Sequence, residues 1–146
     1  MSLITSAHHP PLAVSPQTTV LDACRQMKER GVGAVAVIGP DDRPVGIFTE
    51  RDVMYKIVTE QRDAANTPLS QVMTSPCLTI ASDLAPEDAL AVMVNKSVHH
   101  LALVDEDRKL IGMVSYRTLM RERVDVLDAE VDHLSAYMGD DGIGGG

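Results

Sequence analysis

The sequence has few aromatic residues, with no Trp, one Phe and three Tyr, so its core must be built from aliphatic side chains. Basic residues are also few: 13 Lys and Arg stand against 21 Asp and Glu, and the formal net charge is -8. Nucleic-acid binding needs clustered Lys and Arg, so this balance argues against DNA or RNA as the main ligand. No stretch approaches the roughly 18 apolar residues that cross a bilayer, and the N-terminus lacks a basic segment leading into an apolar run.

Cysteine is scarce as well, with only Cys24 and Cys77 present. The two cysteines show neither a CxxC spacing nor a Cys/His metal pattern. We interpret both as free thiols in a reducing compartment, and we predict no bound metal. We therefore expect a soluble, cytoplasmic protein with no membrane segment.

What the sequence does contain is an internal duplication. Residues 10–54 match residues 76–120 without a gap when they are shifted by 66 positions. A repeat of this kind describes a supersecondary unit whose core is completed by its copy. We therefore expect a ligand to bind between the copies. The matched pairs include Asp22 with Asp88, Met27 with Met93, Gly46 with Gly112, and Arg51 with Arg117.

Hydrophobic periodicity divides each copy into the same elements. The predicted order is β-α-β-β-α, so the fold class is α/β (α+β), with the two repeats packed as a pseudo-twofold pair and followed by a C-terminal helix. In the first copy the elements are Leu12 to Ser15, 17–30, Val32 to Ile38, Val45 to Phe48 and Glu50 to Val58. In the second copy they are Leu78 to Ala81, 84–96, His100 to Val104, Leu110 to Val114 and a helix from Tyr116.

These elements predict a division of the chain into four parts. Residues 1–66 form the first repeat with its linker, and residues 67–122 form the second repeat. The polar stretch 61–70 is taken as the linker. Residues 123–138 are the C-terminal helix, and residues 139–146 are predicted to be a disordered tail.

Apolar residues recur at spacings of four and three along the last segment of the chain. This heptad pattern lasts for under three heptads and leaves two interpretations open. The helix either packs on its own domain or faces a second copy in a homodimer. The residues of the pattern are Met120, Val124, Leu127, Val131, Leu134 and Met138.

The motif with chemical content follows the second apolar strand of the first copy and reads Gly-Ile-Phe-Thr-Glu-Arg-Asp. Thr49 stands at the N-cap of a helix, where free backbone N–H groups favour phosphate oxygens. The carboxylate of Asp52 can accept hydrogen bonds from the vicinal diol of a ribose. Gly46 has no side chain and could allow a flat ring to approach the strand.

The same residues also fit explanations that need no ligand. Thr49 and Asp52 have nearly the spacing of a capping box, in which the two side chains only cap the helix. Arg51 and Arg117 occupy equivalent positions and could close on phosphate. Their alternative role is a surface ion pair with Glu50 or Glu122.

The duplicated unit, the buried strand and the complete motif from Gly46 to Asp52 together resemble a pair of CBS (cystathionine-β-synthase-type) domains, which form a Bateman module. The resemblance covers residues 10 to about 122. It implies a regulatory module that binds AMP, ADP, ATP or S-adenosylmethionine in clefts between the repeats. In the family, the roles of contacting phosphate or ribose and of holding the ribose hydroxyls would fall on Thr49 and Asp52. The resemblance also implies that the adenine packs near Val14, Gly33, Ala34 and Val35.

The second copy departs from the motif, because Thr118 replaces the acid. Loss of one hydrogen bond to a charged acceptor costs about 1.5–3 kcal/mol, so we expect one good site and one weak or empty site. Ser115 and Arg117 can still reach phosphate. His100 is a further candidate for phosphate contact, and the alternative is that one residue of the pair His99 and His100 is buried and the other exposed.

Two hypotheses of different classes follow. The first is a sensor of adenosyl compounds that requires no cofactor and signals through a homodimer or to a separate regulated protein. The second is a ligand-independent dimerisation or protein-interaction module. Enzymatic catalysis is not expected, because neither copy contains a nucleophile with a base and an orienting group, or a metal cluster.

Overall fold

The computed structural model describes residues 3–7 and 10–139, and it contains the predicted repeat twice. The first repeat contributes a sheet in the order β1-β2-β3, and the second a sheet in the order β4-β5-β6. The helices and strands are α1 (Leu3–Ser6), β1 (Ala13–Val14), α2 (Val20–Arg30), β2 (Ala34–Ile38), β3 (Pro44–Thr49), α3 (Glu50–Asp52), β4 (Thr79–Ala81), α4 (Pro86–Lys96), β5 (His100–Val104), β6 (Leu110–Ser115) and α5 (Tyr116–Gly139). A π-helix, Val53–Val58, continues α3, and a 3-10 helix spans Leu69–Gln71.

The two sheets have the same topology and register. In each sheet the first strand pairs in parallel with the second, and the second pairs antiparallel with the third. The register shifts at equivalent places, between Val37 and Ile38 in one sheet and between Leu103 and Val104 in the other. The predicted fold class is therefore confirmed.

The helix ends show which local signals the copies share and which they do not. Thr19 caps α2 by accepting a hydrogen bond from the Asp22 amide at 3.2 Å, and Gly31 ends this helix in the left-handed region, with φ of 66°. The equivalent end of α4 is Ser97, which adopts φ of 55°. A residue with a Cβ pays a steric cost in this conformation that glycine avoids.

Alternation along β2 divides its side chains between two cores. Val35 and Val37 are fully buried in the core of the first repeat. Ala34 and Ala36 point the other way and pack with Met113 of the second repeat. The cluster between the repeats therefore combines the two alanines of β2 with Ile47 and Met113, because adjacent strand residues face opposite sides of the sheet.

Two segments pack against the repeat to which the sequence did not assign them. Leu3 is fully buried in the core of the second repeat, and Ser6 donates a 2.6 Å hydrogen bond to Glu122. Leu69 and Val72 lie in the core of the first repeat, although the sequence reasoning placed Leu69 in a polar linker and both residues beyond the boundary at residue 66. A single apolar residue in a polar stretch carries no periodicity, which is why this contact was not predicted.

The last helix, α5, is continuous from the second repeat to Gly139. Leu119 is buried in the second core, whereas every residue from Arg123 to Met138 is exposed. The interpretation in which this helix packs along its own domain is therefore wrong. The predicted disordered tail lies, except for Gly139, outside the described residues. No helix in the described part of the chain has the length and apolar character needed to cross a membrane.

Candidate functional site

A cleft of about 1030 Å³ lies between the two repeats. Its walls include the ends of β3 and β6 and the starts of the helices that follow them. Eight of the predicted site residues line this cleft, so the fold brings both copies of the motif together. These residues are Gly33, Ala34, Thr49, Arg51, Asp52, His100, Ser115 and Arg117.

Thr49 and Asp52 form a complete capping box at the start of α3. The Asp52 amide donates to the Thr49 hydroxyl at 3.2 Å, and the Thr49 amide donates to Oδ2 of Asp52 at 2.9 Å. The prediction that Thr49 and Asp52 cap the helix is therefore confirmed. It does not exhaust the carboxylate, because two oxygens offer about four lone-pair sites and capping takes one of them.

Lys56 fixes the other oxygen of this carboxylate. Its ammonium lies 3.5 Å from Oδ1 of Asp52 and also donates to the carbonyl of Val72 at 2.8 Å and to the hydroxyl of Thr74 at 3.2 Å. The side chain of Asp52 is 15% exposed. The carboxylate is thus held between a helix start and the segment that joins the repeats.

The second copy is capped differently. The Thr118 amide donates to the Ser115 hydroxyl at 3.1 Å, and that hydroxyl donates to the Thr118 hydroxyl at 2.9 Å. A pair of hydroxyls thus replaces the charged acceptor of the first copy. The starts of α3 and α5 otherwise match. The Glu50 amide donates to the carbonyl of Gly33, and the Tyr116 amide donates to the carbonyl of His99.

Gly33 faces the second repeat at close range. A Cβ on this glycine would lie 3.0 Å from Oε1 of Glu50 and 3.3 Å from Cε1 of His100. His99 is exposed, with its ring centroid 5.7 Å from that of Tyr116, and His100 is half-buried. Neither histidine is buried, so the prediction of one buried and one exposed histidine is wrong. Both imidazoles border the cleft.

The charge of the cleft differs from that of the whole chain. The whole chain has 21 acidic residues and 13 basic residues. The cleft has the opposite balance, because four cationic and two acidic side chains line it among the residues that the structure describes. None of the four cations forms an ion pair in the described residues, and Glu122 bonds Ser6 instead of an arginine. The cleft therefore suits an anion. The cations are Lys28, Arg51, Arg117 and Arg121.

Three predicted site residues do not line the cleft. Val14 and Val35 point into the core of the first repeat, because strand alternation turns them away from the interface. Gly46 does permit a close approach, but Met73 takes that place: a Cβ on Gly46 would lie 2.5 Å from Sδ of Met73. The Met73 segment is held there by paired backbone hydrogen bonds between Ile47 and Thr74.

The sequence reasoning missed several residues of the site. Arg121 lies four positions after Arg117, so the helical spacing places both on the same face of α5 and could have identified it. Lys28 lies one turn before the glycine that ends α2. Lys56 follows Asp52 at the spacing of a helical ion pair, and this signal was also available.

Possible metal ligands and the two cysteines are a separate question from the cleft. No group of three His, Cys, Asp or Glu side chains is arranged to hold a metal ion in residues 3–7 and 10–139. Cys24 and Cys77 are both free thiols. Burial raises the pKa of Cys77 to about 11 and also raises the pKa of Cys24.

Two tandem β-α-β-β-α units around a shared cleft define a duplicated α/β module with its site between the copies. The family model described as "CBS domain" matches residues 4–59 and again residues 69–125. This chain belongs to the CBS domain family.

Relatives and solved structures agree with this assignment. An uncharacterised protein of Methanopyrus kandleri is 32% identical over 107 residues, which are 73% of this chain and 55% of that protein. The chain thus spans about half the length of that relative. A CBS domain protein of Pyrobaculum aerophilum, complexed with AMP, superposes with a TM-score of 0.78 at 22% identity over 90% of this chain and 99% of its own. The CBS domain pair of protein MJ0100, in complex with 5-methylthioadenosine and S-adenosyl-L-methionine, superposes with a TM-score of 0.77 at 15% identity. The match covers 86% of this chain and 97% of the MJ0100 chain.

Proposed function

We propose that this chain is a regulatory module that binds an adenosyl compound, AMP, ADP, ATP or S-adenosylmethionine, in the cleft between its repeats. It signals through a homodimer or to a separate regulated protein. The observation that carries this proposal is a cleft that is lined by Asp52 and by four cations without ion pairs, in a chain of net charge -8. Two neighbours in fold are complexed with adenosyl compounds, which supports the same ligand class.

The chemistry of the cleft supports separate roles for its residues. The remaining lone pairs of Asp52 accept hydrogen bonds from the ribose hydroxyls. Arg51 and Arg117 bind the phosphate, since a guanidinium can donate two parallel hydrogen bonds to it. Gly33 and Ala34 line the cleft without bulky side chains of their own, and an adenine ring would reach Gly33 by displacing the side chains of Glu50 and His100.

The charges favour a nucleotide over S-adenosylmethionine. The sulfonium of S-adenosylmethionine is positively charged, so it would meet like charge from Arg51, Arg117, Arg121 and Lys28. The phosphate groups of AMP, ADP or ATP would meet opposite charge. The second half of the cleft binds more weakly, because the hydroxyls of Ser115 and Thr118 replace a carboxylate.

A second candidate is a ligand-independent interaction module. The observation in its favour is the exposed apolar side of α5, where Val131 is 58% and Leu134 is 56% exposed. In that case the capping box would only stabilise α3. A cytoplasmic location and the absence of catalysis stay predictions of the sequence.

Calorimetric titration with AMP, ADP, ATP, S-adenosylmethionine and NAD separates the two candidates. We expect saturable binding of at least one nucleotide near one site per chain, and its loss in Asp52→Ala. No binding by any compound would overturn the sensor and favour the interaction module. Thermal unfolding of both variants provides the control that the mutant is folded.

A further inference from the structure

The exposed face of α5 has the residue pattern of one strand in a two-stranded coiled coil. Beyond Glu122 this helix leaves its own domain, and its apolar residues face no other element among those described. Val124, Leu127, Val131, Leu134 and Met138 are between 43% and 58% exposed. An apolar stripe of this kind is stabilised when it is covered.

The heptad positions identify a dimer. The spacing assigns Val124, Val131 and Met138 to position a, and Met120, Leu127 and Leu134 to position d. A β-branched residue at a combined with Leu at d favours two parallel strands over three or four. Two of the three a positions and two of the three d positions follow this rule.

The charges beside the stripe favour the parallel orientation independently. Position g of one heptad faces position e of the next heptad on a parallel partner, so Arg123 at g would face the partner's Asp128 at e, twice by symmetry. An antiparallel pair that covers the whole stripe would match Val124 with the partner's Leu134 and Leu127 with the partner's Val131. It would bring Asp128 against the partner's Asp128 and Glu130 against the partner's Glu130. Like charges in those places disfavour that arrangement.

We propose that α5 pairs with α5 of a second copy as a parallel, in-register coiled coil over residues 123–138. The inference deepens the proposed homodimer and rests on that part of the proposed function. It brings the two modules to the same end of the coil. Because α5 begins at Tyr116 on the edge of the cleft, the helix that carries Arg117 and Arg121 continues directly into the dimer contact.

Disulfide trapping tests the orientation. In a Cys24→Ala/Cys77→Ala background, Val124→Cys should cross-link to itself, because parallel a positions lie within the Cα separation of a disulfide. In the antiparallel pair the two copies of residue 124 would be about 15 Å apart, since ten residues separate them along the helix. That arrangement would instead cross-link Val124→Cys with Leu134→Cys in a mixed sample. Such a mixed product, without self-linked Val124→Cys, would overturn the proposal.

Charge reversal tests the pairing of Arg123 with Asp128. Sedimentation equilibrium should show that Arg123→Glu or Asp128→Arg raises the dimer Kd about tenfold, and that the double variant returns it to near the native value. Asp132→Arg is the matched control, because position b faces away from the partner. The dimer Kd of this variant should therefore equal the native value. An equal effect of Asp132→Arg and Asp128→Arg would contradict the pairing.

Leu127→Lys separates this inference from the rest of the account. The side chain is exposed in the single chain, so the variant should fold normally, keep its AMP affinity and become monomeric. A dimer that survives Leu127→Lys would place the contact on another surface and overturn the coil. A native chain that binds AMP as a monomer at every attainable concentration would overturn the coil and leave the ligand site standing. A native chain that dimerises through α5 without binding any nucleotide would keep the coil and overturn the sensor.

Discussion

Replacing Asp52 with Asn removes the negative charge at the proposed ribose site while keeping the size of the side chain. In the structure this carboxylate is mostly buried, caps α3 through Oδ2 and lies 3.5 Å from the ammonium of Lys56. A hydrogen bond to a charged acceptor is worth about 1.5–3 kcal/mol. We therefore expect the AMP affinity to fall roughly ten- to a hundredfold in isothermal titration calorimetry.

Asp22→Asn is the matched control, because the first repeat contains the same spacing twice. Thr19 caps α2 with Asp22 three positions later, as Thr49 caps α3 with Asp52 three positions later. Asp22 does not line the cleft. Both variants should lose about 0.5–1 kcal/mol of unfolding free energy through a weaker helix start, but only Asp52→Asn should lose affinity.

The ligand provides the second half of the test. If Asp52 accepts a hydrogen bond from the ribose, the native chain should bind 2′-deoxy-AMP more weakly than AMP, and Asp52→Asn should discriminate less between the two, because its neutral amide hydrogen-bonds a hydroxyl more weakly than a carboxylate does. This loss of discrimination is a coupling that a general structural defect would not produce. Native affinity for AMP in Asp52→Asn, or an equal loss in Asp22→Asn, would refute the reasoning.

Three further predictions concern stability and reactivity. Ser97→Gly should raise the unfolding free energy by about 1 kcal/mol, since Ser97 ends α4 at φ of 55°; a lower midpoint in urea would contradict this. Gly46→Ala should cost about 1–3 kcal/mol through the clash with Met73, and the added change Met73→Ala should relieve part of it. Because burial raises the pKa of Cys77 to about 11, alkylation should stay slow at pH 8 until the chain unfolds. The contribution of the Cys77 thiol to the unfolding free energy should be present below pH 9 and be lost between pH 9 and 11. Alkylation of folded Cys77 at the rate of a free thiol would contradict the raised pKa.

The repeat, its elements and the capping box of the first copy could be predicted because they depend on local signals. The 66-residue shift predicted equivalent strands, and the sheets share even the position of their register shifts. Thr49 and Asp52 were identified by spacing alone, and they do form both hydrogen bonds of a capping box.

One error could have been avoided from a local pattern, and the others came from contacts that no local pattern encodes. Val35 was expected near the adenine, but strand alternation turns it inward and leaves Ala34 at the interface. Gly46 was assigned to a ligand, whereas Met73, 27 positions later, packs on it. Leu3 belongs to the core of the second repeat although it precedes the first repeat in the sequence, and only the tertiary fold brings it there.

The central claim is that the cleft between the repeats binds an adenosyl ligand. A titration of the isotope-labelled chain with AMP, followed through backbone amide NMR signals, tests it most directly. The account predicts saturable shifts concentrated at Gly33, Asp52, His100 and Arg117. Spectra that do not change, or shifts that avoid the cleft, would contradict it.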